Sequence, residues 1–214
     1  MSTLQKREIS LLSVVIPAYC EAETVVITAR TVGKLLLEAE IPYEIIFVDD
    51  GSTDSTWEVI TTANENDPHV RGVHFSRNFG KESAIFAGLS HSRGDCVAVI
   101  DCDLQHPPEK MIEMVTLWKT GYDVVEGVKL SRGKENPLHT FASKVFYHYI
   151  SRATGMDMSN ASDYKLLDRK VVEALLSMEE QNGFFRALSA WVGYSTVQVP
   201  FHVDDRVAGE SKWS

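Results

Sequence analysis

Apolar residues in this chain switch between short unbroken runs and longer stretches where they recur every three or four positions. The runs Leu11–Ile16, Tyr43–Val48 and Cys96–Ile100 have strand length and are mostly aliphatic or aromatic, which marks them as buried strands, and Val70–Phe75 reads as a further strand between the last two. Between the first two, Val25, Val26, Ala29, Val32, Leu35, Leu36 and Ala39 fall at helical spacing and predict a helix over 22–40. Asp54 is placed to cap a second helix through Trp57, Val59 and Ile60 to about Ala63, and a third spans about Lys81 to Ser92. This βαβαβαβ order predicts an α/β fold: a mostly parallel, Rossmann-like sheet flanked by helices on both faces.

Beyond the fourth strand, a helix over Glu109–Thr120 is closed by Gly121, and Asp123–Val128 reads as a further strand. The pattern then changes. Leu130–Asn136 is polar and basic, and Leu138–Thr154 reads as an amphipathic helix whose cations are Lys144 and Arg152, with Arg132 and Lys134 upstream. Such a helix either packs on the sheet or lies against anionic lipid. Asn160–Lys165 reads as a polar loop, followed by a helix capped at Asp168, a short helix over Phe184–Val192 and a strand over Thr196–Val203.

Composition narrows the class. At 214 residues and 44% hydrophobic, the chain suits one domain with an ample core. A net charge of -9 excludes a general nucleic-acid binder, which would carry a basic face. Cys20, Cys96 and Cys102 have no metal spacing, which favours a reducing compartment. No stretch reaches the roughly 18 apolar residues of a membrane span, and the first residues do not form a signal peptide.

The candidate chemistry sits where the predicted strands end. Ligands of parallel sheets bind at the strands' carboxyl ends. Tyr19/Glu21, Asp49/Asp50, Arg77/Asn78 and Asp101/Asp103 all fall there, so they should converge on one crevice. Asp101 and Asp103 alternate with Cys102, which puts both carboxylates on one side of an extended chain and the thiol on the other. Two adjacent acids repel unless a hard cation sits between them and a phosphate, and Gln105 is a third oxygen within reach. An all-oxygen set suits Mg2+ or Mn2+ and not zinc. The plainer reading of the same acids is a solvated turn, and Asp49 and Asp50 equally suit a type I turn that starts the next helix. His106 lacks the His or Cys companions of a histidine-based metal site and reads as a helix-start neighbour.

Taken in order, Val-Val-Ile-Pro-Ala-Tyr-Cys-Glu (14–21), Val-Asp-Asp-Gly-Ser-Thr-Asp (48–54), Ser-Arg-Asn-Phe-Gly-Lys (76–81), Asp-Cys-Asp-Leu-Gln-His-Pro-Pro (101–108) and Arg-x-x-Gly-x-Ser-Lys-Trp (206–213) resemble the inverting GT-A glycosyltransferases of family 2. The branch they resemble loads polyprenyl phosphates, as dolichol-phosphate mannose synthases and undecaprenyl-phosphate glucosyltransferases do. The resemblance implies a GT-A domain over 1–214, with nucleotide-sugar and metal binding in 10–128, acceptor binding in 129–214 and a closing loop at 204–214. It implies that Pro17, Tyr19, Glu21, Val48, Asp50, Asp101, Cys102 and Lys129 hold the nucleotide sugar, that Asp103 and Gln105, with Asp101 beside them, hold Mg2+ or Mn2+, and that Asp163, Asp103, Arg206 and Lys212 serve catalysis. Lys129 and Lys165 stand where that branch more often has arginine, so each keeps a charge without a bidentate fork. Relatives of this branch continue past the Ser-Lys-Trp motif into membrane helices, so the chain reads as the catalytic part of a longer protein.

The function implied is metal-dependent transfer of a hexose, glucose from UDP-glucose, onto undecaprenyl or a similar polyprenyl phosphate. The setting implied is the cytoplasmic face of the cell membrane, with the membrane surface as a partner, homo-oligomers as the assembled form and no nucleic acid. Two alternatives stand beside it: a family 2 enzyme acting on a saccharide hydroxyl, and a catalytically dead nucleotide-binding module. A nicotinamide-dependent oxidoreductase is disfavoured, because no Gly-x-Gly-x-x-Gly follows the first strand.

Overall fold

In the computed structural model, residues 6–130, 162–178 and 185–203 are described. Seven strands form one sheet: β1 (Leu12–Ala18), β2 (Tyr43–Asp49), β3 (Val70–His74), β4 (Cys96–Val99), β5 (Val124–Lys129), β6 (Lys165–Asp168) and β7 (Thr196–Phe201), in the order β3-β2-β1-β4-β6-β5-β7. Among the described residues the helices are α1 (Val25–Glu38), α2 (Thr56–Asn66), α3 (Lys81–His91), α4 (Lys110–Lys119), α5 (Arg169–Leu176) and α6 (Phe185–Trp191). β1–β4 are parallel to one another and β7 is parallel to β5, while β6 runs antiparallel to both its neighbours.

Alternation along the strands builds a core on each face. Leu12, Val14 and Ile16 of β1 join Phe47 of β2 and Ala98 of β4 under α1, α2 and α4. Val15 faces the other way, with Val97, Val99 and Leu167, under α3, α5 and α6. Both layers are therefore covered, as the unbroken apolar runs predict.

Several element ends differ from the sequence reading. β1 continues through Pro17 to Ala18, where a break at the proline is expected. Carbonyls alternate sides along a strand; Val15 and Ala18 accept from Ile100 and Asp50 respectively. Pro17 therefore faces the β4 side, beyond the last β1–β4 pair at Val15–Val99, where an N–H has no strand partner to lose. α2 runs to Asn66, past Ala63. Its last turn is polar: Thr61, Thr62 and Asn66 bond back to carbonyls four residues earlier, so the apolar period stops before the helix does.

The larger difference is β6. The loop predicted over Asn160–Lys165 gives way, at Lys165, to a strand inserted between β4 and β5, with Val99 opposite Lys165 and Glu126 opposite Lys165 on the other side. Four residues with a charge at each end give no periodicity to read. Lys165 is 1% exposed and pairs with Glu126, a partner from 39 positions away. The helix after it is capped as predicted, with the Asp168 carboxylate accepting the Lys170 N–H at 3.1 Å. The predicted helix over 138–154 lies outside the described residues.

α3 seats on β1 through Gly88, where an added Cβ would stand 2.2 Å from Val15 Cγ1. Gly88→Val should therefore cost about 3 kcal/mol of stability, the upper part of the usual range for overpacking, despite valine's better helix propensity. Urea unfolding of the two proteins measures it.

Candidate active site

Because β1–β4 are parallel, the loops after them leave the sheet at one edge, and hydrogen bonds tie those loops together. The Cys20 N–H donates to Ser52 Oγ at 2.8 Å and the Glu21 N–H to Thr56 Oγ1 at 2.8 Å, joining the loop after β1 to the loop after β2. The Thr28 hydroxyl donates to the Cys102 carbonyl at 2.7 Å, joining α1 to the acidic motif. Antiparallel β6 completes the edge. Its first residue lies beside the end of β4, so Asp163, two residues before it, arrives next to Asp101.

Asp49 and Asp50 are both fully buried and divide their work. Asp49 accepts from the Ser52 N–H and hydroxyl and pairs with His74 Nδ1 at 2.7 Å. Asp50 grips the loop after β3: its two oxygens accept from the Phe79 N–H at 2.7 Å and the Gly80 N–H at 3.0 Å. Gly51, at φ 65°, lies against the same loop, and a Cβ there would meet the Arg77 backbone at 2.3 Å. Of the residues expected to hold the nucleotide sugar, Pro17 and Val48 are buried in the strands and Glu21 is 7% exposed, its carboxylate accepting from the Thr24 hydroxyl. Tyr19 is half-buried and Lys129 exposed at the end of β5. The Cys102 thiol is turned into the core against Thr24 Oγ1, and burial pushes its pKa up to about 12, so its side chain is an inert packing group.

The centre of the edge is a cluster of charges. Lys81 Nζ lies 2.6 Å from Asp101 Oδ1 and 2.9 Å from Asp163 Oδ2. On its other side Asp163 receives the Arg186 guanidinium as a fork, Nε at 2.7 Å and the terminal nitrogen at 2.8 Å. Burial alone would push the Asp163 carboxyl pKa up, but Lys81 and Arg186 outweigh it and hold the group well below the usual carboxylate range. Burial would likewise lower Lys81, yet Asp101 and Asp163 hold it above its ordinary value. Glu82 closes the cluster by accepting the Phe185 N–H at 2.7 Å, with its pKa raised, chiefly by burial. His106 is 4% exposed, stacked on Tyr164, with Nδ1 3.9 Å from Asp101 Oδ2 and its pKa lowered, first by burial.

Asp103 starts a tight turn, its Oδ1 accepting the Gln105 N–H at 3.0 Å, with Leu104 at φ 56° between them. Among the described residues no three His, Cys, Asp or Glu side chains surround a common point. A magnesium-type ion takes one or two protein oxygens and completes its shell with water and substrate phosphate. Asp103 and Gln105 are the pair expected from the sequence to hold such an ion, while Asp101 is engaged by Lys81. Lys81, Arg186 and Glu82 were not singled out from the sequence. Lys81 ends the quoted Arg-Asn-Phe-Gly-Lys stretch, but nothing local reveals its partners 20 and 82 positions away. Arg206 and Lys212 lie outside the described residues.

Comparison with known proteins follows the same lines. The family profile described as Glycosyl transferase family 2 matches residues 13–176. The uncharacterized glycosyltransferase YkcC of Bacillus subtilis is 37% identical over 202 residues, 94% of this chain and 62% of YkcC. The bactoprenol glucosyl transferase of Shigella phage SfX is 37% identical over 206 residues, 95% of this chain and 67% of that protein. The chain thus spans about two thirds of the length of these relatives. Among solved structures, glucosyl-3-phosphoglycerate synthase from Mycobacterium tuberculosis, in complex with Mn2+, UDP-glucose and phosphoglyceric acid, superposes with a TM-score of 0.63 at 20% identity, over 94% of this chain and 73% of that one. The mannosyltransferase PcManGT from Pyrobaculum calidifontis, in complex with GDP-Man and Mn2+, gives 0.59 at 20% identity, over 91% of this chain and 55% of that one. At that identity the likeness is one of fold, which is GT-A.

Two outcomes follow from this geometry. Asp50→Ala leaves the Phe79 and Gly80 N–H groups without their charged acceptor, and each such bond is worth about 1.5–3 kcal/mol. Urea unfolding without nucleotide should therefore show a loss of about 3 kcal/mol, smaller in Asp50→Asn. The second outcome concerns acid. The folded pKa of Asp163 lies below its unfolded value of about 4, so its contribution is present above that value and lost as pH falls through the folded one. The stability gap between the native protein and Asp163→Asn should be level between about pH 5 and 9 and shrink below about pH 4.

Proposed function

The chain belongs to glycosyl transferase family 2; on that premise we propose that it is a glycosyltransferase that moves a hexose, glucose from UDP-glucose, onto a polyprenyl phosphate. In this reaction the bond from the sugar's anomeric carbon to the diphosphate breaks, UDP departs with the electron pair, and an acceptor phosphate oxygen bonds the same carbon from the opposite face.

The observation that carries the acceptor assignment is the state of Asp163. A sugar hydroxyl must lose a proton as it attacks, and a general base works best with a pKa near the working pH. Lys81 and Arg186 occupy both oxygens of Asp163 and hold it below the usual carboxylate range, which makes it a weak base. A phosphate monoester has a second pKa near 6 and arrives largely deprotonated, so it needs no base. The bactoprenol glucosyl transferase relative supports the same acceptor class.

Asp103 and Gln105 are the residues that would hold Mg2+ or Mn2+, which when bound supplies positive charge to the departing diphosphate. Tyr19 and Glu21 on the loop after β1, with Pro17, Val48 and Asp50 at the ends of β1 and β2, would take the uridine; Asp101 and Lys129 stand at the same edge, and the Cys102 backbone lies within the acidic motif. Arg206 and Lys212 would close over the phosphates. A lipid acceptor places the reaction at a membrane surface, its cytoplasmic face where nucleotide sugars are made available. None of the described helices is long and apolar enough to cross a membrane.

Thermal unfolding with UDP and GDP, each with and without Mn2+, followed by transfer from radiolabelled UDP-glucose to undecaprenyl phosphate, tests the reading. The expected result is Mn2+-dependent stabilisation by UDP, organic-extractable label, and a rate at least about 100-fold lower in Asp103→Ala, the scale of losing transition-state charge stabilisation. Label passing to a saccharide hydroxyl and not to lipid would replace the acceptor; no nucleotide binding would remove the activity.

A further inference from the structure

Among the described ion pairs, Lys81 alone touches both a carboxylate of the acidic motif and Asp163. Its place is set from two directions. It is the first residue of α3, and Gly80 before it turns the chain at φ 97°. The Phe79 and Gly80 N–H groups are held by Asp50, so the end of β2 determines where α3 begins. From that start the side chain reaches into the site, 19% exposed, and spends its charge on two acids. Asp163 passes the arrangement on to Arg186 of α6, which gives an alternating row Asp101–Lys81–Asp163–Arg186 across the edge.

Stability alone does not account for such a row, because buried ion pairs are often matched by well-packed apolar side chains. Geometry accounts for it better. Asp101 belongs to the motif of the donor and metal side, and Asp163 leads into β6 from the other side. Resting on the hexosyl-transfer reading above, we propose that Lys81 is a positioning residue that sets Asp163 against Asp101 and thereby fixes where the acceptor meets the donor sugar.

The test is steady-state kinetics of the full-length protein carrying Lys81→Met, Asp163→Asn or both, with UDP-glucose and undecaprenyl phosphate. Each single change is expected to lower kcat about 100-fold while the donor KM stays within about threefold, and the double variant should fall no more than about threefold below the worse single, since residues acting as one unit are not additive. Lys81→Gln, which still donates to one of the two acids, serves if the methionine variant does not fold, and the same kcat loss is expected. A folded Lys81 variant with native kcat, a donor KM that rises while kcat holds, or single losses that multiply in the double variant would overturn the proposal. Native protein that binds UDP with Mn2+ but passes no hexose to lipid overturns the transfer reading itself; an active native enzyme matched by its Lys81→Gln variant overturns only the role of Lys81.

Discussion

One strand running against the others decides where this site is complete. β1–β4 bring their loops to a single edge, but a purely parallel continuation would start its next strand at the far end of the sheet. β6, antiparallel between β4 and β5, starts where β4 ends. Asp163, two residues before its start, therefore lies beside Asp101. The insertion has a cost, because it buries Lys165, whose pKa is lowered first by burial. Glu126, directly opposite on β5, offsets that cost.

With Asp163 delivered, the edge gathers Asp101, Asp103, Asp163 and Glu82, each partly or fully buried. Like charges at short range in a medium of low polarity repel by several kcal/mol, so an unrelieved set would protonate or splay apart. Relief comes from α3 and α6, which contribute Lys81 and Arg186. Both helices lie on the same face of the sheet, over Val15, Val97 and Leu167, and their packing is what holds the cations in range. Hydrophobic burial and site electrostatics are thus one problem here: the apolar seat of α3 on β1 also aims its first residue.

Much of this was readable from residues alone, and the boundary is physical. The strand-end clusters were legible because three of the four follow short apolar runs and Arg77/Asn78 follows a short strand in the same alternation, and strand direction then forces them together. Asp168 as a cap and the turn-forming glycines were legible because their partners lie within a few positions. β6 was not, since four residues show no period and its charged members are explained only by distant neighbours. Lys81 and Arg186 were hidden for the same reason, with partners 20 to 82 positions away in the case of Lys81 and 23 in the case of Arg186. Nor was Asp50 legible as a loop anchor: its sequence context suits a turn or a ligand, and its acceptors' donors come from a loop 29 and 30 positions on.

The contact between Gly51 and the loop after β3 also bears on how such a protein changes over generations. A side chain at 51 would strike the carbonyl carbon and Cα of Arg77, atoms that every amino acid possesses. Nothing substituted at 77 could make room, whereas the Arg77 side chain itself is exposed and lies over the Phe79 ring. Drift is thus free to rewrite the character of residue 77 while residue 51 stays a glycine. A rigid joint beside a variable tip lets one scaffold be retuned without being rebuilt.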